Sequence, residues 1–116
     1  MRKKNEAAAK KMIVYTRQAT EFIYAQPISA VTKMLQTIKE LGEEGSLGMP
    51  FARKIDKELF EVRVRDSGNQ YRVFYCYAVR NLIYILNGFV KKTKETPLAE
   101  IRKAHALIRQ IEEVAK

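Results

Sequence analysis

Three arginines are the first residues whose type and spacing could do chemistry. Arg63 and Arg65 alternate with Val62 and Val64, and Arg72 lies just beyond the turn-forming run Asp66-Ser67-Gly68-Asn69-Gln70. Alternate residues of a strand share one face, so a hairpin through that run gathers the three guanidiniums on one side. Two registers satisfy the apolar pattern. A turn at Gly68-Asn69 sets Val64 against Val73, Val62 against Tyr75 and Phe60 against Tyr77, with Arg65 opposite Arg72. A turn at Ser67-Gly68 shifts the pairing by two and sets Arg63 opposite Arg72. Like charges facing each other across a sheet cost about 0.2–1 kcal/mol per exposed pair. The crowding therefore needs a partner. Glu61 and Asp66 could neutralise it as ordinary ion pairs. A phosphate could do so instead, because arginine stays charged and offers a donor fork matching phosphate oxygens.

The elements that must position those arginines can be read from periodicity. Phe60, Val62 and Val64 alternate with Glu61, Arg63 and Arg65 in a half-buried strand, and Tyr71 to Tyr77 is rich in aromatic and β-branched residues. Leu82 to Leu86 is apolar on both faces, as expected of a central strand covered on both sides, and it continues through Asn87-Gly88-Phe89-Val90 into the basic tail Lys91-Lys92-Thr93-Lys94. Upstream, Ile13 to Tyr15 reads as a short strand, with Thr16 capping a helix over Arg17 to Ala25. Pro27 suits the first turn of a helix with Val31, Met34, Leu35, Ile38 and Leu41 on one face, ended by Gly42, Gly45, Gly48 and Pro50. Thr96-Pro97 opens a last helix whose stripe is Leu98, Ile101, Ala104, Ile108 and Ile111.

With 116 residues, 47% of them hydrophobic and 30% charged, the chain suffices for one packed core and not for two. The run Glu6-Ala7-Ala8-Ala9-Lys10 has the pattern of a helical spacer, which sets residues 1–12 apart as a basic N-terminal extension of a single domain over 13–116. The longest uncharged apolar run, Val73 to Val79, falls far short of the roughly 20 residues of a membrane span. The N-terminus lacks the apolar core of a secretory signal, so a cytoplasmic protein without a membrane partner is expected. One cysteine, Cys76, and one histidine, His105, exclude an internal disulfide and the usual Cys- or His-based metal clusters. Cys76 reads as a small core residue and His105 as a structural residue at the edge of the last helical stripe. Tyr71, Tyr75 and Tyr77 read as core rather than as base-stacking platforms.

The net charge of +9 is unevenly placed: Arg53 to Lys94 holds ten bases against four acids, while Glu95 to Lys116 is balanced. A local surplus of that size suggests a face that meets a polyanion, with a well-solvated surface as the lesser alternative.

Four stretches in order, Glu58-Leu59-Phe60-Glu61-Val62-Arg63, Tyr71-Arg72-Val73-Phe74-Tyr75, Gly88-Phe89-Val90-Lys91-Lys92-Thr93-Lys94-Glu95-Thr96-Pro97 and Glu100-Ile101-Arg102-Lys103-Ala104, resemble the phage-derived HigB-type toxins of the RelE/ParE superfamily. The resemblance covers about Ile13 to Ile111. It implies an α+β fold: a small RelE-like antiparallel β-sheet with two N-terminal helices and a C-terminal helix. It also implies the toxin of a type II toxin–antitoxin system, a ribosome-dependent endoribonuclease that cleaves mRNA and inhibits translation. The implied partners are the ribosome, its mRNA and a helix-turn-helix, HigA-like antitoxin.

The reaction so implied is metal-independent, uses no cofactor, and proceeds by attack of a ribose 2′-hydroxyl on the adjacent phosphate. Carried over, Arg72 and Arg63 stabilise the scissile phosphate, Lys54 could act as base, and Arg65, Lys91, Lys92 and Lys94 bind RNA. Where many relatives have a histidine before Gly-Phe, this chain has Asn87, which can orient a group but cannot take up a proton as imidazole does. Two other readings stay open: a ParE-like poison of DNA gyrase, and a non-catalytic nucleic-acid-binding module, since fold alone does not fix function.

Overall fold

The computed structural model describes residues 10–114. The proposed N-terminal extension falls almost entirely outside them, although Lys11 and Met12 belong to the folded unit. Strand β1 (Met12–Tyr15) is followed by helices α1 (Arg17–Tyr24) and α2 (Ile28–Glu44), strands β2 (Ala52–Lys54), β3 (Phe60–Asp66), β4 (Asn69–Ala78) and β5 (Leu82–Lys91), and helix α3 (Leu98–Val114). The strands form one sheet in the order β1-β5-β4-β3-β2. This is the expected α+β arrangement, with β2 to β5 antiparallel; β1 adds a parallel edge, Met12 facing Leu82 and Tyr15 facing Ile85. That pairing joins segments seventy residues apart and leaves no local sequence signal. The strand over Leu82 to Leu86 is interior, and β4 holds the middle of the sheet.

The hairpin adopts the Ser67-Gly68 turn, pairing Asp66 with Asn69 and Arg63 with Arg72. Ser67 and Gly68 both take positive φ, 50° and 82°, as the two-residue turn matched to strand twist requires. Phe60, Val62, Val64, Tyr71, Val73 and Tyr75 therefore share one face. Against it pack Ala19 and Ile23 of α1 and Val31, Met34, Ile38 and Leu41 of α2. Leu59, Phe74, Cys76, Leu86 and Phe89 form a second core with Ala104, Leu107 and Ile108 of α3. The first core buries twelve large apolar side chains and the second six, at roughly 1.5–3 kcal/mol apiece, so the sheet is held from both sides.

Thr16 ties α1 to the sheet: its hydroxyl accepts from Ala19 N at 3.0 Å and donates to the Leu86 carbonyl at 2.5 Å. At the far end of α2, Gly45 takes the left-handed conformation that closes a helix and donates to the Leu41 carbonyl at 2.8 Å. Two expectations about α3 fail. The Thr96 hydroxyl is buried without a hydrogen-bond partner, and Pro97 O instead receives the N–H groups of Glu100 and Ile101. Leu98 is 65% exposed, because α3 settles on the sheet from Ile101 onward.

Candidate functional site

The face of β3 and β4 opposite α1 and α2 carries the arginines. Across the strands, Arg63 pairs with Arg72 and Arg72 with Phe89, while in the next row Arg65 pairs with Gln70 and Gln70 with Lys91. Helix α3 covers this face only as far as Phe74 and Phe89, so the arginine half is left open. From there a cleft of about 620 Å³ reaches past Val64 of β3 to α2, walled by Arg63, Arg65, Gln70 and Arg72 on the sheet, Pro50 and Phe51 on the loop before β2, and Lys33, Thr37 and Glu40 on α2.

Beside Arg63 and Arg72, but not itself lining the cleft, is Glu61, 0% exposed. Glu61 Oε1 lies 3.4 Å from Arg53 Nη2, 3.4 Å from Arg72 Nε and 3.7 Å from Arg63 Nε. Three guanidiniums thus surround one carboxylate. Arg72 is itself only 3% exposed, and its Nη2 donates to Gln70 Oε1 at 2.9 Å. Burial, followed by the charge of Arg63, pulls the Arg72 pKa down from its ordinary value, while Glu61 pushes it back up. The side chain stays protonated under any physiological condition. Arg63 reaches the other way, its Nη1 donating to Met49 Sδ at 3.4 Å. The cluster can bind and orient an anion and neutralise charge that grows on it. No histidine lines the cleft.

The expected residues divide. Arg63, Arg65 and Arg72 converge on the cleft. Asp66, expected to help neutralise them, shares the parity of Val62 and Val64 and so faces α2. There it accepts from the Ser29 hydroxyl at 2.5 Å and pairs with Lys33 at 2.9 Å, which hold its pKa below the usual carboxylate value. Lys54 lies opposite Phe60, with its ammonium 5.9 Å from that ring. It is therefore on the far side of the sheet from Arg72 and does not join the cluster. Its neighbour Arg53, opposite Glu61, takes that place. Lys91 follows Gln70 in register but turns its ammonium onto the carbonyls of Thr93 and Lys94, and Lys92 and Lys94 are exposed on the loop beyond.

Asn87 is 5% exposed and donates through Nδ2 to Glu100 O at 3.2 Å. It lines a second cleft, between α1 and α3, rather than the arginine cleft. Cys76 is buried, and burial pushes its thiol up to about 11, which removes it as a nucleophile. Sequence reasoning missed Arg53 and Gln70. A signal for Arg53 exists only in hindsight of register, because three residues of strand carry no alternation to read.

Residues 21–109 match the family of phage-derived Gp49-like proteins (DUF891). The chain belongs to that family. No curated protein sequence matches this Gp49-like chain. Among solved structures, it is similar to a chain of the toxin–antitoxin complex RelBE2 from Mycobacterium tuberculosis. The two are 15% identical with a TM-score of 0.55, over 72% of this chain and 93% of that one. At that identity the likeness is one of fold, and it is the RelE-like fold that the sequence motifs implied. Among the described residues of this Gp49-like protein no helix is long and apolar enough to cross a membrane, and no group of His, Cys, Asp and Glu could hold a metal ion.

Proposed function

We propose that this Gp49-like protein is the toxin of a toxin–antitoxin pair and acts as an endoribonuclease on mRNA held by the ribosome. The observation that carries the reading is Arg72, a guanidinium buried to 3% exposure yet lining an open cleft beside Arg63 and Arg65. A cation is seldom buried without a full set of aligned partners unless a site needs it there. In the proposed reaction the 2′-hydroxyl oxygen bonds to phosphorus and the bond to the 5′-oxygen of the next nucleotide breaks. The products are a 2′,3′-cyclic phosphate and a 5′-hydroxyl. One proton leaves the attacking hydroxyl and one is delivered to the departing oxygen. Arg72 and Arg63 neutralise the charge that builds on the equatorial oxygens between these events.

The arginine cleft supplies charge and orientation, with Glu40 of α2 as the carboxylate on its wall and no histidine, and Lys54 faces the other side of the sheet. The reading therefore assigns substrate alignment, and part of the proton traffic, to the ribosome. Lys92 and Lys94 extend the basic surface for flanking phosphates. The proposed partner in the cytoplasm is a helix-turn-helix antitoxin with an acidic segment that covers the basic cleft, as charge complementarity favours.

Primer extension in a reconstituted translation system tests the reading. Cuts in mRNA that require loaded ribosomes are expected. Equal cleavage of naked RNA, or intact mRNA together with inhibited gyrase supercoiling, would overturn it.

A further inference from the structure

The carboxylate of Glu61 is held unlike the other carboxylates described above. It is wholly buried and has three guanidiniums within 3.7 Å of Oε1, yet neither oxygen accepts an aligned hydrogen bond. The Nε groups of Arg63 and Arg72 are likewise buried without an acceptor. Elsewhere the pairing is directional: Arg109 Nη2 donates to Glu58 Oε2 at 2.6 Å. A buried ion pair ordinarily recovers its desolvation cost through aligned donors. Here the charges are compensated while the donors remain unspent.

We propose that Glu61 is a positioning residue, an internal counter-anion that holds Arg53, Arg63 and Arg72 together and gives way electrostatically to a phosphate entering the cleft. Without an anion in the cleft, Glu61 limits repulsion among three guanidiniums on adjacent strands, so the sheet tolerates their crowding. When phosphate arrives it competes with Glu61 for the same positive charge. Glu61 therefore trades affinity for the stability of the unliganded protein. This inference rests on reading Arg63 and Arg72 as phosphate contacts.

The test uses inorganic phosphate as probe, with sodium chloride at matched ionic strength as reference. Glu61→Gln keeps the shape and an acceptor but removes the charge. Its unfolding midpoint in chloride should fall below that of the wild-type chain. Phosphate should raise the variant's midpoint more than the wild type's, because a ligand stabilises in proportion to its affinity. Calorimetric titration should show phosphate binding at least roughly tenfold tighter in the variant, as loss of one adjacent negative charge demands.

Glu61→Asp keeps the charge and retracts it by one methylene; it should give the same ordering in weaker form, so the comparison survives if Glu61→Gln does not fold. Glu58→Gln, which loses a carboxylate outside the cluster, should show no phosphate-specific gain. Equal phosphate shifts in the wild type and both Glu61 variants would overturn the proposal. The two readings fail separately. Differential phosphate binding without ribosome-dependent cleavage overturns the nuclease reading alone, and cleavage with identical phosphate binding in all variants overturns the role of Glu61 alone.

Discussion

Two charged clusters flank the second core, and they are built on opposite principles. In one, Arg53, Arg63 and Arg72 crowd a single carboxylate at 3.4–3.7 Å. In the other, His105 of α3 bridges Asp56 and Glu58 at 2.9 Å each, and Arg109 joins Glu58 at 2.6 Å and Glu112 at 3.0 Å. Asp56 Oδ1 also accepts from the N–H groups of Glu58 and Leu59. The second cluster sets three carboxylates around one histidine and one guanidinium, aligned and partly solvated, as structural networks are. It clamps the loop before β3 onto α3. The first crowds three guanidiniums onto one wholly buried carboxylate without an aligned bond to it, which is poor design for stability alone. On the proposed function, the contrast separates the cluster that holds the fold from the one that meets a phosphate.

The strongest way to break this contrast is Arg72→Ala. Loss of one donor to developing charge typically lowers a rate by about 10²–10³, and Arg72→Lys should recover little because an ammonium cannot reproduce two directed donors. Both variants should remain folded, since Arg72→Ala relieves the crowded sheet of a like charge and Arg72→Lys keeps a cation beside Glu61. Ribosome-dependent cleavage and thermal unfolding measured on the same preparations check this. A folded Arg72→Ala protein that cuts within a few-fold of wild type would erase the distinction.

His105→Gln should do the reverse. It is expected to lower stability by roughly 1 kcal/mol, the scale of a charge-assisted hydrogen bond in a partly exposed setting, while cleavage stays within a few-fold. Denaturant unfolding against cleavage rate separates the two.

A smaller effect follows from pH. The Arg109 guanidinium holds the Glu58 carboxyl below its usual value. For Asp56, burial pushes upward, but the N–H groups of Glu58 and Leu59 together with His105 outweigh it and the net direction is down. A carboxyl depressed in the folded state adds stability that is complete above its ordinary, unfolded pKa and is lost as pH falls through the folded one. The clamp should therefore weaken on acidification below about pH 4–5. After screening at these partly exposed groups, about 0.2–1 kcal/mol is expected. Glu58→Gln should flatten that acid limb in a pH series of unfolding midpoints. An unchanged limb would remove Glu58 from the clamp.

The smallest expected change is at the rim. Lys92→Ala should weaken RNA association only a few-fold and lower the slope of log K against log salt by about one, the signature of a single phosphate contact. An unaltered slope would place Lys92 outside the binding surface.

Much of this was legible in the chain. The helical stripe from Val31 to Leu41 and the alternation from Phe60 to Arg65 are period signals, and period depends only on neighbours. The convergence of Arg63, Arg65 and Arg72 followed from parity and survived the choice between two turns. What parity could not reach was the short strand β2. A single residue of register decides whether Arg53 or Lys54 faces Glu61, and three residues give no pattern to count. Asn87 was obscure for a related reason: the pairing of β4 with β5 shifts between Val73 and Tyr75, so alternation carried along β5 past that irregularity misplaces it. Glu61 was visible as a neighbour of arginines, but alternation does not tell that guanidiniums from three strands gather around it and that it is wholly buried.

The parallel seam between β1 and β5 fixes the timetable of assembly. Strands β2 to β5 follow one another as a meander, but β1, although early in the chain, pairs with Leu82 to Ile85. During vectorial synthesis the first strand emerges from the ribosome long before its mate, and α1, which rests on β5 through Thr16, waits with it. Contacts of such sequence separation form late. A nascent chain halted before β5 would thus expose the apolar face of α1 and the bare edge of β4, whereas one extended past it supplies the strand that both β1 and β4 pair with.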